Sequence, residues 1–244
     1  MGKYHEYYDR LNLHKKDYRG DVQKIAQICK EFSWKHDKIL EIGCGTGNHT
    51  EHLCRMSDTV VACDTDPAML SIAKSKLDDK ITFYNDVADV VEREFTLGVM
   101  MWNVLNYIPT MKMMKHVFSE VRTRLCHGGL FIFDMWNGVA VLRDLPRTAK
   151  NEIKYDGANI IHHLEGDTSL MDLKTTILNK IWSYHNGRLV DHFSHNVYHY
   201  IWTANIVAEI LSDAGLSIVR IAKTEDFKTP ATEEDWKLVF VARK

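Results

Sequence analysis

The chain has 244 residues, 45% of them hydrophobic and 26% charged, with a formal net charge of −2. That length suits one large domain, or one domain carrying a sizeable insertion, and is enough to bury a core without covalent staples. The composition excludes disordered and collagen-like classes, and the slight acidic balance supplies no global field for a polyphosphate, so nucleic acid is not expected as a partner.

Five cysteines, Cys29, Cys44, Cys54, Cys63 and Cys126, stand apart without Cys-x-x-Cys spacing and read as reduced cytoplasmic thiols. The longest apolar run, around Val99 to Met101, falls far short of the roughly twenty residues of a membrane span. The start Met-Gly-Lys-Tyr-His-Glu-Tyr-Tyr is polar and aromatic, and Glu6 stands where a myristoylation pattern needs Ser or Thr. These features predict a soluble, cytoplasmic monomer or homodimer with no membrane partner.

Taken in chain order, Asp17 to Phe32 places Ile25, Ile28, Cys29 and Phe32 at helical spacing, and Lys38-Ile-Leu-Glu-Ile-Gly is a short apolar strand ending in glycine. A helix is predicted over Asn48 to Met56 and a second strand over Thr59 to Asp64. Pro67 opens a helix running to about Lys76, and Lys80 to Tyr84 is a third strand. A fourth strand follows near Leu97 to Trp102, then a helix from Met111 to Arg124, a Gly128-Gly129 turn and a fifth strand, Gly129 to Asp134. Strands alternating with helices at this spacing indicate a parallel sheet covered on both faces.

From about Asn151 to Tyr200 the pattern changes to period-two alternation around Lys174 to Trp182, with Asn186-Gly187 as a hairpin turn, which predicts an antiparallel insertion. Helix and strand return with Thr203 to Ala214, Gly215 past the helix end, Leu216 to Ala222 and a last strand, Trp236 to Ala242.

Leu40-Glu-Ile-Gly43-Cys-Gly45-Thr-Gly47-Asn48 joins the first strand to its helix. Glycines there let the backbone turn sharply and approach a ligand without a Cβ in the way. Alone, this spacing is also compatible with a tight turn that binds nothing, and it is not the G-x-G-x-x-G of a dinucleotide site. Asp64 ends the second strand and Asp86 follows the third, so Glu41, Asp64 and Asp86 all fall at carboxyl ends of strands, where open α/β sheets collect ligands. Asp66 is expected to cap the helix opened by Pro67.

Glu-x-Gly-x-Gly-x-Gly, followed in order by Asp64, Asn85-Asp86-Val87 and Leu125-Cys-His-Gly-Gly-Leu-Phe-Ile-Phe-Asp, resembles the class I S-adenosylmethionine-dependent methyltransferases over roughly residues 38 to 135 and 203 to 243. The resemblance implies an α/β fold: a doubly wound, seven-stranded, mostly parallel sheet with a β-rich insertion after the fifth strand. It also implies S-adenosyl-L-methionine as cofactor, held by Glu41, Gly43, Gly45 and Gly47, with Asp64 on the ribose hydroxyls and Asp86 and Val87 at the adenine. Thr65, Met69, Met101 and Trp102 complete the implied contacts. Residues 1–139 and 201–244 would form the cofactor-binding core with an N-terminal lid, and 140–200 the insertion, packed over the carboxyl ends of the strands as an acceptor wall.

Tyr4 to Tyr18 resembles the N-terminal segment of bacterial N-methyltransferases acting on nucleotide-linked amino sugars, which implies a lid with Tyr8 and Tyr18 near the cofactor carboxylate; aromatic packing of a terminal helix is the other reading. Phe133 to Gly138 and the insertion resemble small-molecule methyltransferases of surface-sugar and antibiotic pathways. The chain departs from the amino-sugar enzymes at Tyr107, where they tend to carry histidine.

A neutral amine can attack an activated methyl unaided, whereas a hydroxyl needs a general base. The candidate catalytic residues are Tyr107, His195 and His199; on a strand His195 and His199 share one face with Val197, and Tyr198 and Tyr200 the other. His162, His163, His192, His195 and His199 could line a polar substrate wall, sit in core or solvent, or bind a metal, and no metal is assigned. The expected partner is a small polar acceptor, sugar-linked or anionic. A non-catalytic S-adenosylmethionine-binding protein and a nucleic-acid methyltransferase are the alternatives; the second lacks the Asn/Asp-Pro-Pro-aromatic motif for a flipped base.

Overall fold

The computed structural model describes residues 3–32, 38–78 and 80–244. It begins with two helices, α1 (Tyr4–Asn12) and α2 (Tyr18–Glu31), before the first strand, β1 (Ile39–Ile42). There follow α3 (Thr50–Leu53), β2 (Val60–Cys63), α4 (Pro67–Lys76), β3 (Thr82–Tyr84), β4 (Phe95–Met100), α5 (Met111–Arg124), β5 (Leu125–Trp136) and α6 (Gly138–Arg143). Four strands come next, β6 (Ala149–Tyr155), β7 (Ala158–Ser169), β8 (Lys174–His185) and β9 (Arg188–Tyr200), and then α7 (Ala204–Asp213), β10 (Ser217–Lys223) and β11 (Lys237–Arg243). Contacts divide the chain into two units, Tyr18–Ala140 with Trp202–Lys244, and Met1–Asp17 with Val141–Ile201.

In the α/β unit the described strands form a seven-stranded sheet of order β10-β11-β5-β4-β1-β2-β3, parallel except that β11 runs antiparallel to both β5 and β10. Strands β1 and β2 are buried throughout, as their unbroken apolar sequence requires of a sheet covered on both faces. Successive residues enter opposite cores: Leu40 and Ile42 lie with Phe118 of α5 and Leu211 of α7, whereas Ile39 lies with Val22, Ile25 and Ile28 of α2. The order reverses at β1, which has β2 on one side and β4 on the other, so the switch point of the doubly wound fold lies at the carboxyl ends of β1 and β4. Asp66 caps α4 as expected, its Oδ1 accepting from the backbone N–H groups of Ala68 (2.9 Å) and Met69 (3.3 Å).

Three boundaries differ from the sequence reading. Regular helix after the glycine loop covers only Thr50–Leu53 of the expected Asn48–Met56. Strand β4 ends at Met100 rather than Trp102, because Trp102 and Asn103 take positive φ (70° and 58°) and leave the extended conformation. Gly128-Gly129 is an irregularity within β5: Phe95 pairs with Leu125 but Leu97 with Leu130, so the extra residues bulge out of the ladder.

The second unit is a four-stranded antiparallel sheet in the order β6-β7-β8-β9. Asn186-Gly187 (φ 49° and 75°) turns β8 into β9, and Asp156-Gly157 (φ 47° and 73°) does the same between β6 and β7, the residue pairs that two-residue hairpins favour. Helix α1 belongs to this sheet: Tyr7 and Leu11 are buried with Ile153, Ile160 and Ile181. The Tyr7 hydroxyl donates to Asp191 of β9 (2.7 Å), and Lys3 pairs with the same carboxylate. The expected N-terminal segment of the cofactor core therefore groups, up to Asp17, with the insertion, because the apolar face of α1 has its partners there. Among the described residues no helix is long and apolar enough to cross a membrane, and the five cysteines are free thiols.

Candidate cofactor and acceptor sites

The glycine loop leaves β1 under two different constraints. Gly43 (φ 72°) is closed in by protein, since a Cβ there would stand 2.5 Å from Val104 Cγ1. Gly45 (φ 55°) faces open space, with no protein atom within 4 Å of where its Cβ would be. The first glycine serves packing and the second leaves room for a ligand to reach the backbone. Glu41, buried on β1, accepts a hydrogen bond from the Thr50 hydroxyl of α3 at 2.6 Å; burial pushes its carboxyl up, with His49 and Thr50 opposing.

Asp64 pins this loop to the end of β2. Its Oδ2 accepts from the Gly45 N–H (2.7 Å) and its Oδ1 from the Asp66 N–H (2.9 Å); burial nevertheless pushes the carboxyl up against those two bonds. Thr65 beside it is exposed and Met69 half-buried on α4. At the end of β3, Asp86 accepts from the Ala88 N–H (2.8 Å), capping the short turn Val87–Asp89. The side chains of Val87 and Met101 are enclosed in the two apolar cores.

On the other side of β1, the loop after β4 is tied down at several points. The Asn103 N–H donates to Asp134 Oδ1 (2.7 Å) and the Trp136 N–H to Asn106 Oδ1 (2.9 Å), so the ends of β4 and β5 are stitched together by buried side chains. Trp102 stacks on Tyr18 with ring centroids 5.4 Å apart, and Tyr18 meets His49 edge-on at 4.7 Å. Tyr107 closes the loop. Its ring is 45% accessible, yet burial, with the Asp64 carboxylate adding, pushes its phenol up to about 12. A side chain crowded by protein on one side and open to solvent on the other accounts for both. At neutral pH this phenol is a hydrogen-bond donor and not a base.

Of the residues expected at the cofactor, Tyr18, Glu41, Gly43, Gly45, Gly47, Asp64, Asp86 and Trp102 thus belong to one unit, around the ends of β1 to β4, whereas Tyr8 belongs to the other. Sequence reasoning missed Thr50, Asn103, Asn106 and Asp134. The one local signal was an asparagine directly after an apolar strand, a residue that tolerates left-handed backbone.

In the antiparallel unit His195, Val197 and His199 share a face, as the alternation predicted. Tyr4 stacks on His195 (centroids 4.3 Å, planes 14° apart), and His199 is buried opposite Thr175. His162 lies on this face too, its Nε2 2.8 Å from Asn179 Oδ1, while His163 and His192 flank Trp182 on the other. The five histidines do not converge on one point.

A methyltransferase-domain family matches residues 39–129, the segment that carries the glycine loop, Asp64, Asp86 and Asn103. The chain is also 24% identical, over 73% of its length and 75% of the relative's, to the dTDP-3-amino-3,4,6-trideoxy-alpha-D-glucopyranose N,N-dimethyltransferase of Streptomyces venezuelae. The chain is an S-adenosylmethionine-dependent methyltransferase. Solved structures agree on the fold of this methyltransferase: DesVI of Streptomyces venezuelae (19% identity, 97% of this chain and 96% of that one, TM-score 0.83) and the sugar N-methyltransferase KedS8 of a Streptoalloteichus species (17%, 97% and 93%, TM-score 0.80).

Proposed function

We propose that the methyltransferase moves a methyl group onto a nitrogen of a small sugar-linked or anionic metabolite in natural-product or surface-polysaccharide biosynthesis. S-adenosylmethionine supplies a methyl already activated on a sulfonium, so what remains for the protein is to hold the acceptor in line about 3 Å away in a dry site. Nitrogen over oxygen is carried by the match to the N,N-dimethyltransferase of Streptomyces venezuelae; Tyr107, half-exposed in the loop after β4 and protonated at neutral pH like any phenol, offers the acceptor a donor. A group held protonated cannot take the proton of an attacking hydroxyl, but it can donate a hydrogen bond to an acceptor that brings its own lone pair. The relative from Streptomyces venezuelae and KedS8, both nitrogen methyltransferases of sugars by name, support the same reading.

In this proposal Asp64 and Asp86 hold the adenosine end of the cofactor, and Tyr107 donates a hydrogen bond to the acceptor. The test is a panel of nucleotide-linked amino sugars, each paired with its hydroxyl counterpart and followed by mass. Methyl addition to the amine alone is expected; equal methylation of the hydroxyl partner would overturn the nitrogen assignment. In Tyr107→Phe, KM for the amine should rise more than kcat falls.

A further inference from the structure

We propose that Asp21 is a positioning residue for cofactor binding, setting the glycine loop through His49. The inference rests on the reading of that loop as the place where S-adenosylmethionine meets the chain.

The loop needs such a hold. The regular helix after it has only four residues, Thr50–Leu53, and a helix that short does not fix its own position. Side chains at its start are tied to neighbouring elements instead. Thr50 donates to Glu41 of β1 at 2.6 Å, and His49 Nε2 lies 3.4 Å from Asp21 Oδ2 on α2. His49 is 5% exposed and Asp21 4%, so this second tie is sheltered from water. Lys24 Nζ holds the other carboxylate oxygen, Asp21 Oδ1, at 3.1 Å and also donates to the Thr224 carbonyl at 2.8 Å. Asp21 is thereby oriented by a partner that is itself fixed to the loop between β10 and β11.

Stability alone does not explain the pair. Helix α2 is already seated by Val22, Ile25, Ile28 and Cys29 in the core on that side of the sheet. Taking a carboxylate and its partners out of water offsets most of what their attraction returns, and apolar residues of similar volume are often as stable in such a place. What apolar residues do not supply is direction. A polar pair sets one nitrogen against one oxygen, and so sets the backbone of the loop to which the nitrogen belongs. The same end of α2 also reaches the other flank of β1, since Tyr18 meets His49 edge-on and stacks on Trp102. The first turn of α2 thus touches both loops at the switch point, and Asp21 is a polar contact with the loop that carries the glycines.

The test is calorimetric titration of S-adenosylmethionine into the native protein and a set of variants, each with its melting temperature measured. Asp21→Leu replaces the carboxylate with an apolar group of the same branching. His49→Asn removes the tie from the other side and leaves a residue suited to the N-cap position that His49 occupies before α3. Each should raise Kd about tenfold, and the double variant should lose no more than either single one, because the two side chains act as one pair. Asp21→Asn keeps an oxygen for His49 and should stay close to the native affinity. A merely structural pair would lower the melting temperature and leave Kd of the folded protein unmoved, and that result would overturn the proposal. Losses that multiply in the double variant, or an Asp21→Asn variant as weak as Asp21→Leu, would overturn it as well. Asp64→Ala separates the two readings. If it weakens S-adenosylmethionine while Asp21→Leu does not, the positioning role alone falls; native affinity in Asp64→Ala breaks the reading of the cofactor site, and the proposal with it.

Discussion

The two units of the methyltransferase use buried polar side chains in opposite ways. In the α/β unit Glu41, Asn103, Asn106 and Asp134 gather at the carboxyl ends of strands, where they fix loops and backbone, and the positive-φ residues of the glycine loop and of Trp102-Asn103 lie beside them. In the antiparallel unit His162, Thr175, Asn179, Ser183 and His199 are spread along three strands on one face of a regular ladder. The first arrangement presents shaped backbone to a ligand, which suits an unchanging cofactor. The second fills the buried face of a regular ladder, the face on which Tyr7 and Leu11 of α1 pack against Ile160 and Ile181.

The largest effect should come from breaking the backbone-shaped unit. Gly43→Ala would force a Cβ into Val104 at positive φ, and should cost about 2–4 kcal/mol of stability, read as a lowered denaturant midpoint. Slowed amide exchange in the antiparallel sheet should persist. A midpoint within error of the native one would show that the loop is not the rigid device described.

The antiparallel unit should instead be the acid-labile one. Burial pushes the His162 imidazole down to about 4 from 6.5, with the Lys15 and His14 charges adding and the Asn179 bond opposing. Between those values the unfolded chain binds a proton that the folded chain refuses. Stability from this group is therefore complete above pH 6.5 and declines as pH falls toward 4, by up to about 3 kcal/mol. His162→Gln retains a polar partner for Asn179 and should flatten that slope; an identical slope in the variant would contradict the assignment.

A smaller change should follow from Asp191→Asn, which weakens the anchor of α1. Hydrogen bonding to Lys3, and then to Tyr7, holds the Asp191 carboxyl below its ordinary 3.8. Its contribution is present above that value and is lost as pH falls through the lower folded one. Amides of α1 should exchange faster in the variant at neutral pH and lose most of their acid sensitivity.

Much of this contrast was legible in the sequence, because its signals are local. Short apolar strands, Asp66 before Pro67, Asn186-Gly187 and the parity of His195 and His199 each follow from residues within a few positions of one another. What was not legible depends on distant partners. That Asn103 meets Asp134, that His162 meets Asn179, and that α1 buries Tyr7 and Leu11 on the inserted sheet are set by strand pairing and helix docking across long stretches of chain. The bulge in β5 was hidden for the same reason, since Gly128-Gly129 looks like a turn until the register with β4 is known.

The central claim is that the ends of β1 and β2 hold S-adenosylmethionine, and calorimetric titration of the cofactor into the native protein and Asp64→Ala tests it most directly. Asp64 organises Gly45 through a 2.7 Å bond, and in the proposed reading it also accepts from the ribose hydroxyls. Its loss should raise Kd by roughly ten- to a hundredfold, the equivalent of about 1.5–3 kcal/mol, with the fold intact. Equal affinity in the two proteins would contradict the account.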